Sequence, residues 1–167
     1  MTIAITLILA AAAYRLLPDS LQPWNFAPIG ALALCGGMYL GKRYALLLPL
    51  GAMLLSDLFL GFDVTSPAVY ACFVVSGLIG LALRERRRPT WIAAGTLGGA
   101  MVFFVGTNFA HWLLTDMYAK SLDGLVLCYV NALPFFRGTL LGDALFVTAF
   151  VCVMELVARK QTETVHA

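Results

Sequence analysis

Six apolar stretches, 2–17, 26–40, 44–62, 67–83, 91–114 and 133–157, occupy most of this 167-residue chain, and mostly short polar loops separate them. A membrane-spanning helix needs about 20 mainly apolar residues, with about 17 to 25 as the usual range. Five stretches approach or meet that length; the second is short, and its limits extend toward Trp24 and Gly41. The runs are continuous rather than alternating over the roughly ten-residue segments of a membrane barrel, so they read as helices. The chain is 61% hydrophobic and 12% charged, against about 25% charged residues in an ordinary soluble domain. Too few charges remain to cover the apolar surface of a soluble fold. The expectation is an all-α integral membrane protein, one domain over residues 1–167.

The first stretch lacks a basic segment before it, and Tyr14-Arg15-Leu16-Leu17-Pro18 is a poor small-residue cleavage site, so it is read as a retained helix. Orientation follows from the cations. Lys42-Arg43, Arg84-Glu85-Arg86-Arg87-Arg88 and Arg159-Lys160 fall between helices two and three, between four and five, and after six. Six spans with both termini in the cytoplasm put all three clusters on the cytoplasmic side, as the excess of cations in short inner loops requires. Arg15, Lys120 and Arg137 lie elsewhere. Such short juxtamembrane runs suit topology and anionic lipid headgroups, and no nucleic-acid partner is expected.

Cys35, Cys72, Cys128 and Cys152 form no CxxC pair and no metal-ligand spacing. Three lie within helices, where cysteine is a small apolar packing residue; Cys128 falls near the outer face. No catalytic triad spacing or ATP-binding loop stands out. Neither an enzyme nor a bound cofactor or metal is expected, and uptake driven by ATP would need separate ATPases.

The loop at 115–132 is the long one. Its second half is apolar, and Ser121 or Asp123 is placed to cap a short interfacial or re-entrant helix over the outer side. Between helices one and two, Pro18, Pro23 and Pro28 stiffen the backbone, and Trp24 and Phe26 suit the headgroup level. Asn25 reads either as the cap of helix two or as a ligand contact. Ser66 before Pro67 has the form of an N-cap followed by proline at the first helical position. Small residues four apart, among them Gly37/Gly41, Ser76/Gly80, Gly95/Gly99 and Gly138/Gly142, favour close helix packing.

Against this background five embedded polar residues stand out: Asp57, Asn108, His111, Arg137 and Asp143. Ionisable groups inside a membrane are costly and mark functional sites by default. At about 1.5 Å of rise per residue, Asp57 lies in the outer half of helix three, and Thr107, Asn108 and His111 lie near the outer end of helix five. Arg137 is about one turn into helix six, and Asp143 is nearer the midplane. Asn108 and His111 share a face, with Thr107 beside His111. Arg137 and Asp143 are six apart, roughly 120 degrees around the helix at about 100 degrees per residue, and need not pair. Arg137 could meet Asp57 or an anionic ligand; Asp143 could accept from Asn108, Thr139 or a neighbouring helix. The alternative for every member is a polar network that only fixes helix packing. The pocket so outlined is mostly apolar with a few polar contacts and suits a small aromatic or heterocyclic solute.

The stretches Asn25-Phe26-Ala27-Pro28-Ile29-Gly30-Ala31, Leu55-Ser56-Asp57-Leu58-Phe59-Leu60-Gly61-Phe62, Thr107-Asn108-Phe109-Ala110-His111-Trp112, Gly124-Leu125-Val126-Leu127-Cys128-Tyr129 and Pro134-Phe135-Phe136-Arg137-Gly138-Thr139-Leu140-Leu141-Gly142-Asp143 carry a resemblance over nearly the whole chain. It resembles a widespread bacterial family of uncharacterised membrane transport proteins, itself similar to the substrate-binding S components of energy-coupling-factor vitamin transporters. The resemblance implies a multi-pass six-helix bundle in the bacterial inner membrane that captures a vitamin or similar micronutrient from outside. It also implies a transmembrane coupling protein and two ATPases as partners. The first helix departs from the family's docking ridge: Ala4 is followed four later by Ile8, and Ala10 by Tyr14. On this reading Asn108, His111 and Arg137 orient the solute, with Asp57, Asp143, Asn25 and Thr107 contacting it or fixing its contacts. An ion-coupled permease and a nontransport membrane assembly protein are the competing functions.

Overall fold

A computed structural model describes residues 2–21 and 25–165. Trp24, expected at the headgroup level, lies outside the described residues. Among them the fold is all-helical: α1 (Thr2–Arg15), α2 (Ile29–Cys35) continued by a π-helical stretch (Gly36–Leu40), α3 (Lys42–Leu60), α4 (Ser66–Ala82), α5 (Pro89–Leu114) and α6 (Leu122–Val165). Three helices are long and apolar enough to cross a membrane, over Lys42–Leu60, Pro89–Leu114 and Leu122–Val157. Their outward residues, such as Leu58, Phe59, Leu97, Val105, Leu141 and Leu145, are large, apolar and exposed.

The short apolar stretch at 26–40 becomes the centre of the bundle. Ile29, Leu32, Ala33, Leu34, Cys35 and Met38 are all buried, so α2 is enclosed by protein rather than standing as an independent span. Close approach explains how. A Cβ on Gly80 would fall on the Leu34 carbonyl, one on Gly37 on the Gly77 carbonyl, and one on Gly77 on the Ala45 carbonyl. Helices α2, α3 and α4 therefore touch backbone to backbone, which side chains of any size would prevent. Gly41, with φ of +96°, turns the chain from the π-helical stretch into α3, a conformation that costs glycine little; the Arg84 guanidinium lies over it.

Two local expectations change. The stretch at 122–132 is not a separate lid helix but the first turns of α6, which runs on through Pro134 for 44 residues. Ser121 does cap it, its hydroxyl 3.2 Å from the Gly124 amide. Phe104 of α5 explains the continuity: its ring packs on Tyr129 at 5.5 Å and Phe136 at 4.6 Å, one on each side of Pro134. The Tyr129 hydroxyl donates to the Val105 carbonyl at 2.8 Å. Neighbouring contacts of this kind let a helix carry a proline. The second change is at α4, where Ser66 is the first helical residue. Its hydroxyl accepts from the Asp63 amide at 2.9 Å, while Asp63 accepts from the Thr65 amide at 2.6 Å and the Thr65 hydroxyl at 2.7 Å. Those bonds hold the exposed Asp63 carboxyl below the usual carboxylate range.

The two ends of the bundle differ in charge. At one, Arg87 lies over the Tyr39 ring at 5.1 Å and Arg86 over Trp91 at 5.8 Å, and the Tyr39 hydroxyl donates to Glu155 at 3.1 Å. At the other, the ends of α1 and α3 and the start of α4 bring together Arg15, Asp57 and Tyr70.

Candidate functional site

Asp57 sits in the last turn of α3 and is 4% exposed. Its partner is Arg15 from the last turn of α1, not Arg137: Arg15 Nη1 lies 2.7 Å from Asp57 Oδ1. The other carboxylate oxygen accepts from the Tyr70 hydroxyl of α4 at 2.8 Å. The same guanidinium also reaches the Ser56 hydroxyl. Three helices are thus tied by one ion pair whose charges and lone pairs are largely met. Such a pair is weak evidence for net stability, but a lone survivor of it is costly.

Asp143 has a different setting. It lies on α6 against α2 and is 6% exposed. Gly30 gives it room, since a Cβ there would fall on the carboxylate. The Ala31 backbone N–H donates to it. Among the described residues no cation pairs with it.

Asp143 forms part of the wall of a cavity of about 150 Å³ at the bundle's interior, to which all six helices contribute. The polar lining is Arg15, Asn25, Ser76, Thr96, Thr139 and Asp143; Val69, Phe73, Phe103 and Val147 are among the apolar residues. Phe73 and Phe103 stand with ring centroids 5.1 Å apart. The hydroxyls have a shared geometry. Ser76 donates to the Cys72 carbonyl at 3.0 Å, Thr96 to Ile92 at 2.9 Å and Thr139 to Phe135 at 3.3 Å. Each spends its hydrogen on its own helix one turn back, so what remains for a guest is an acceptor oxygen.

A second cavity of about 90 Å³ adjoins the first and shares Asn25, Phe103 and Thr139 with it. Thr107 and Asn108 line this one. Thr107 donates to the Phe103 carbonyl at 2.7 Å, and the Asn108 side-chain amide to the Phe104 carbonyl at 2.8 Å. Asn25 faces both cavities from a left-handed backbone, φ 54°, which asparagine tolerates better than most residues. Helix α2 begins at Pro28 without a side-chain cap, so the capping role considered for Asn25 is not observed.

The structure therefore divides the seven residues singled out from sequence. Asn25 and Asp143 line the central cavity; Asn25, Thr107 and Asn108 line its neighbour. Asp57 is bonded to Arg15, which does reach the central cavity. Arg137 is exposed on α6 and belongs to neither lining. His111 lies outside both, its Nε2 3.5 Å from Met117 Sδ and its ring edge-on to Tyr118. The preference for Arg137 and His111 rested on depth and, for His111, on a face shared with Asn108; neither residue belongs to the lining of either cavity.

Arg15, Tyr70, Ser76 and Thr96 were not singled out. Arg15 had a signal: it is the charged residue of the first apolar stretch, at the same end of the bundle as Asp57. Ser76 and Thr96 had none as ligand contacts, since a serine or threonine bonded to its own helix reads like any other; Thr139, considered as a donor to Asp143, donates instead to the Phe135 carbonyl.

The cysteines are free thiols; Cys35, Cys72 and Cys128 are buried and Cys152 is exposed. Cys128 belongs to α6, where its thiol lies 3.5 Å from the Asn108 carbonyl.

A family model described as "Family of unknown function (DUF6580)" matches residues 1–165, and the chain belongs to that family. No curated protein and no solved structure matches the chain.

Proposed function

Taking the chain as a member of the DUF6580 family, we propose that it is a substrate-binding membrane protein for uptake of a small micronutrient-like solute. In this reading it is a six-span, S-component-like bundle in a bacterial inner membrane, with both termini cytoplasmic. The observation that carries the function is the interior cavity with a buried carboxylate on an otherwise largely apolar wall. Concave, mostly apolar sites with a few placed polar groups are the usual form of small-molecule sites.

The six-span reading is supported by the charge difference between the bundle's ends, since Arg84, Arg86, Arg87, Arg88 and Lys42-Arg43 would all face the cytoplasm. The short α2 is no obstacle. Irregular backbone at membrane depth is tolerated where protein encloses it or where it borders a cavity, and residues 25–28 precede a helix in which every residue but Gly30 is buried. A transmembrane coupling protein with separate ATPases would supply the energy for release.

Mass spectrometry of the full chain extracted from its native membrane tests this. A small molecule should copurify with the wild type and be lost from Gly99→Leu, which puts a side chain into the cavity lining. Absence of any occupant, or equal occupancy in the variant, overturns the proposal.

One observation favours a second reading, an ion-coupled permease: Asp143 is buried without a cation among the described residues. Solute uptake that follows an imposed ion gradient in proteoliposomes without an ATPase would select it.

A further inference from the structure

We infer that the solute of the central cavity carries a protonated nitrogen, with Asp143 as its counter-ion; this rests on the uptake reading above and narrows its ligand to a class. Three observations converge. The first is charge. On the cavity wall Arg15 is paired with Asp57 at 2.7 Å, so that pair is neutral, and among the described residues Asp143 is the remaining charge of the lining. A carboxylate in that setting is stabilised by a cation or gives up its charge.

The second is hydrogen-bond polarity. The hydroxyls of Ser76, Thr96 and Thr139 each donate to their own helix, leaving acceptor oxygens on α4, α5 and α6. With the Asp143 carboxylate they make the lining acceptor-rich. On the α4, α5 and α6 walls a guest with several N–H donors matches these acceptors, while the donors of the lining, Asn25 and Arg15, belong to the α1 and pre-α2 side. The third is the apolar wall. Phe73 and Phe103 stand on the lining as a ring pair, and aromatic faces attract organic cations.

Size limits the class further. A cavity of about 150 Å³ matches one known to hold benzene. The ligand class is therefore a small organic ammonium or a protonated single-ring heterocycle. The room for its counter-ion depends on Gly30, whose Cβ would displace the carboxylate.

The test is isothermal titration calorimetry on the full chain in lipid nanodiscs with three probes of one shape: benzylammonium, benzyl alcohol and benzoate. Wild type should bind benzylammonium about tenfold more tightly than the alcohol, the difference between a charged and a neutral hydrogen bond. Benzoate should be weakest. Asp143→Asn should lose the preference for the cation while still binding the alcohol. Gly30→Ala should do the same with the carboxylate retained but displaced, and it decides the matter where Asp143→Asn does not fold.

Binding of the alcohol or benzoate at least as tightly as the cation overturns the inference, as does an undiminished cation preference in Gly30→Ala. A neutral or anionic molecule found in the native protein likewise overturns the charge class and leaves solute uptake standing. No binding of any probe, together with no native occupant, removes the uptake reading itself.

Discussion

Asp57 and Asp143 are buried to nearly the same degree, at 4% and 6% exposed, yet they are solved differently. Asp57 has an arginine on one oxygen and a tyrosine hydroxyl on the other. Asp143 has a backbone amide, a glycine opposite, and a cavity. Burying a carboxylate is expensive in either case. At Asp57 the fold itself supplies the compensation, and the result joins α1, α3 and α4. At Asp143 the compensation is left incomplete beside open volume. The first arrangement is a structural joint; the second leaves a carboxylate on a cavity wall, and the proposed site rests on it.

The comparison is broken most directly at the joint. Arg15→Ala and Asp57→Ala should each lower stability by about 3 kcal/mol, because each strands a buried partner. Unfolding in mixed micelles measures it. Replacing both, Arg15→Met with Asp57→Leu, should cost much less than the two single losses together, since neither charge of the pair remains and the Tyr70 hydroxyl has only to re-pair as a neutral group. Additive losses would mean that the two side chains act separately, whatever their 2.7 Å separation.

Asp143→Asn should be the reverse. Removing a charge that the fold does not pair should change stability by no more than about 1 kcal/mol, with relief of desolvation offsetting the weaker bond from the Ala31 amide. Loss comparable to that of Asp57→Ala would make Asp143 a second joint and remove the contrast.

Gly30→Ala comes next in size. Its Cβ meets the end of a side chain rather than backbone, so the expected cost is about 1 kcal/mol, at the low end of overpacking. In an Asp143→Ala background that cost should vanish. Persistence of the full cost there would place the crowding in the helices themselves and not at the carboxylate.

The contrast between the two aspartates was only half legible in the sequence. Long apolar runs gave helix number and type, because length and hydrophobicity are local properties, and the helix start at Ser121 followed from cap chemistry; at Ser66 the start was legible but the capping role was not, since Ser66 is itself the first helical residue. Depth, counted from helix ends, brought Asp57, Thr107 and Asn108 to one end of the bundle. Facing was not available by the same means. Helices apolar on every side carry no moment to say which face turns inward, so Arg137 and Asp143 looked alike although one is exposed and the other buried. The pairing of Arg15 with Asp57 depends on α1 packing on α3, a contact between distant segments that no local pattern encodes. The separate helix expected within 115–132 merges with helix six for a related reason: Phe104, thirty residues before Pro134 in the chain, packs on both sides of that proline.

Arg137→Ala should have the smallest effect of all. An exposed side chain outside both cavity linings should change stability by no more than about 0.5 kcal/mol, and benzylammonium affinity should stay within error of wild type. The value of this variant lies in its opposition to Asp143→Asn. Both remove a charge from α6, six residues apart and roughly 120 degrees around the helix, so a general effect of charge on this long apolar helix would move the two alike. A site in the central cavity moves one and not the other. Lost binding in Arg137→Ala with intact binding in Asp143→Asn would instead put the ligand on the exposed face of α6 and return the cavity to a packing defect.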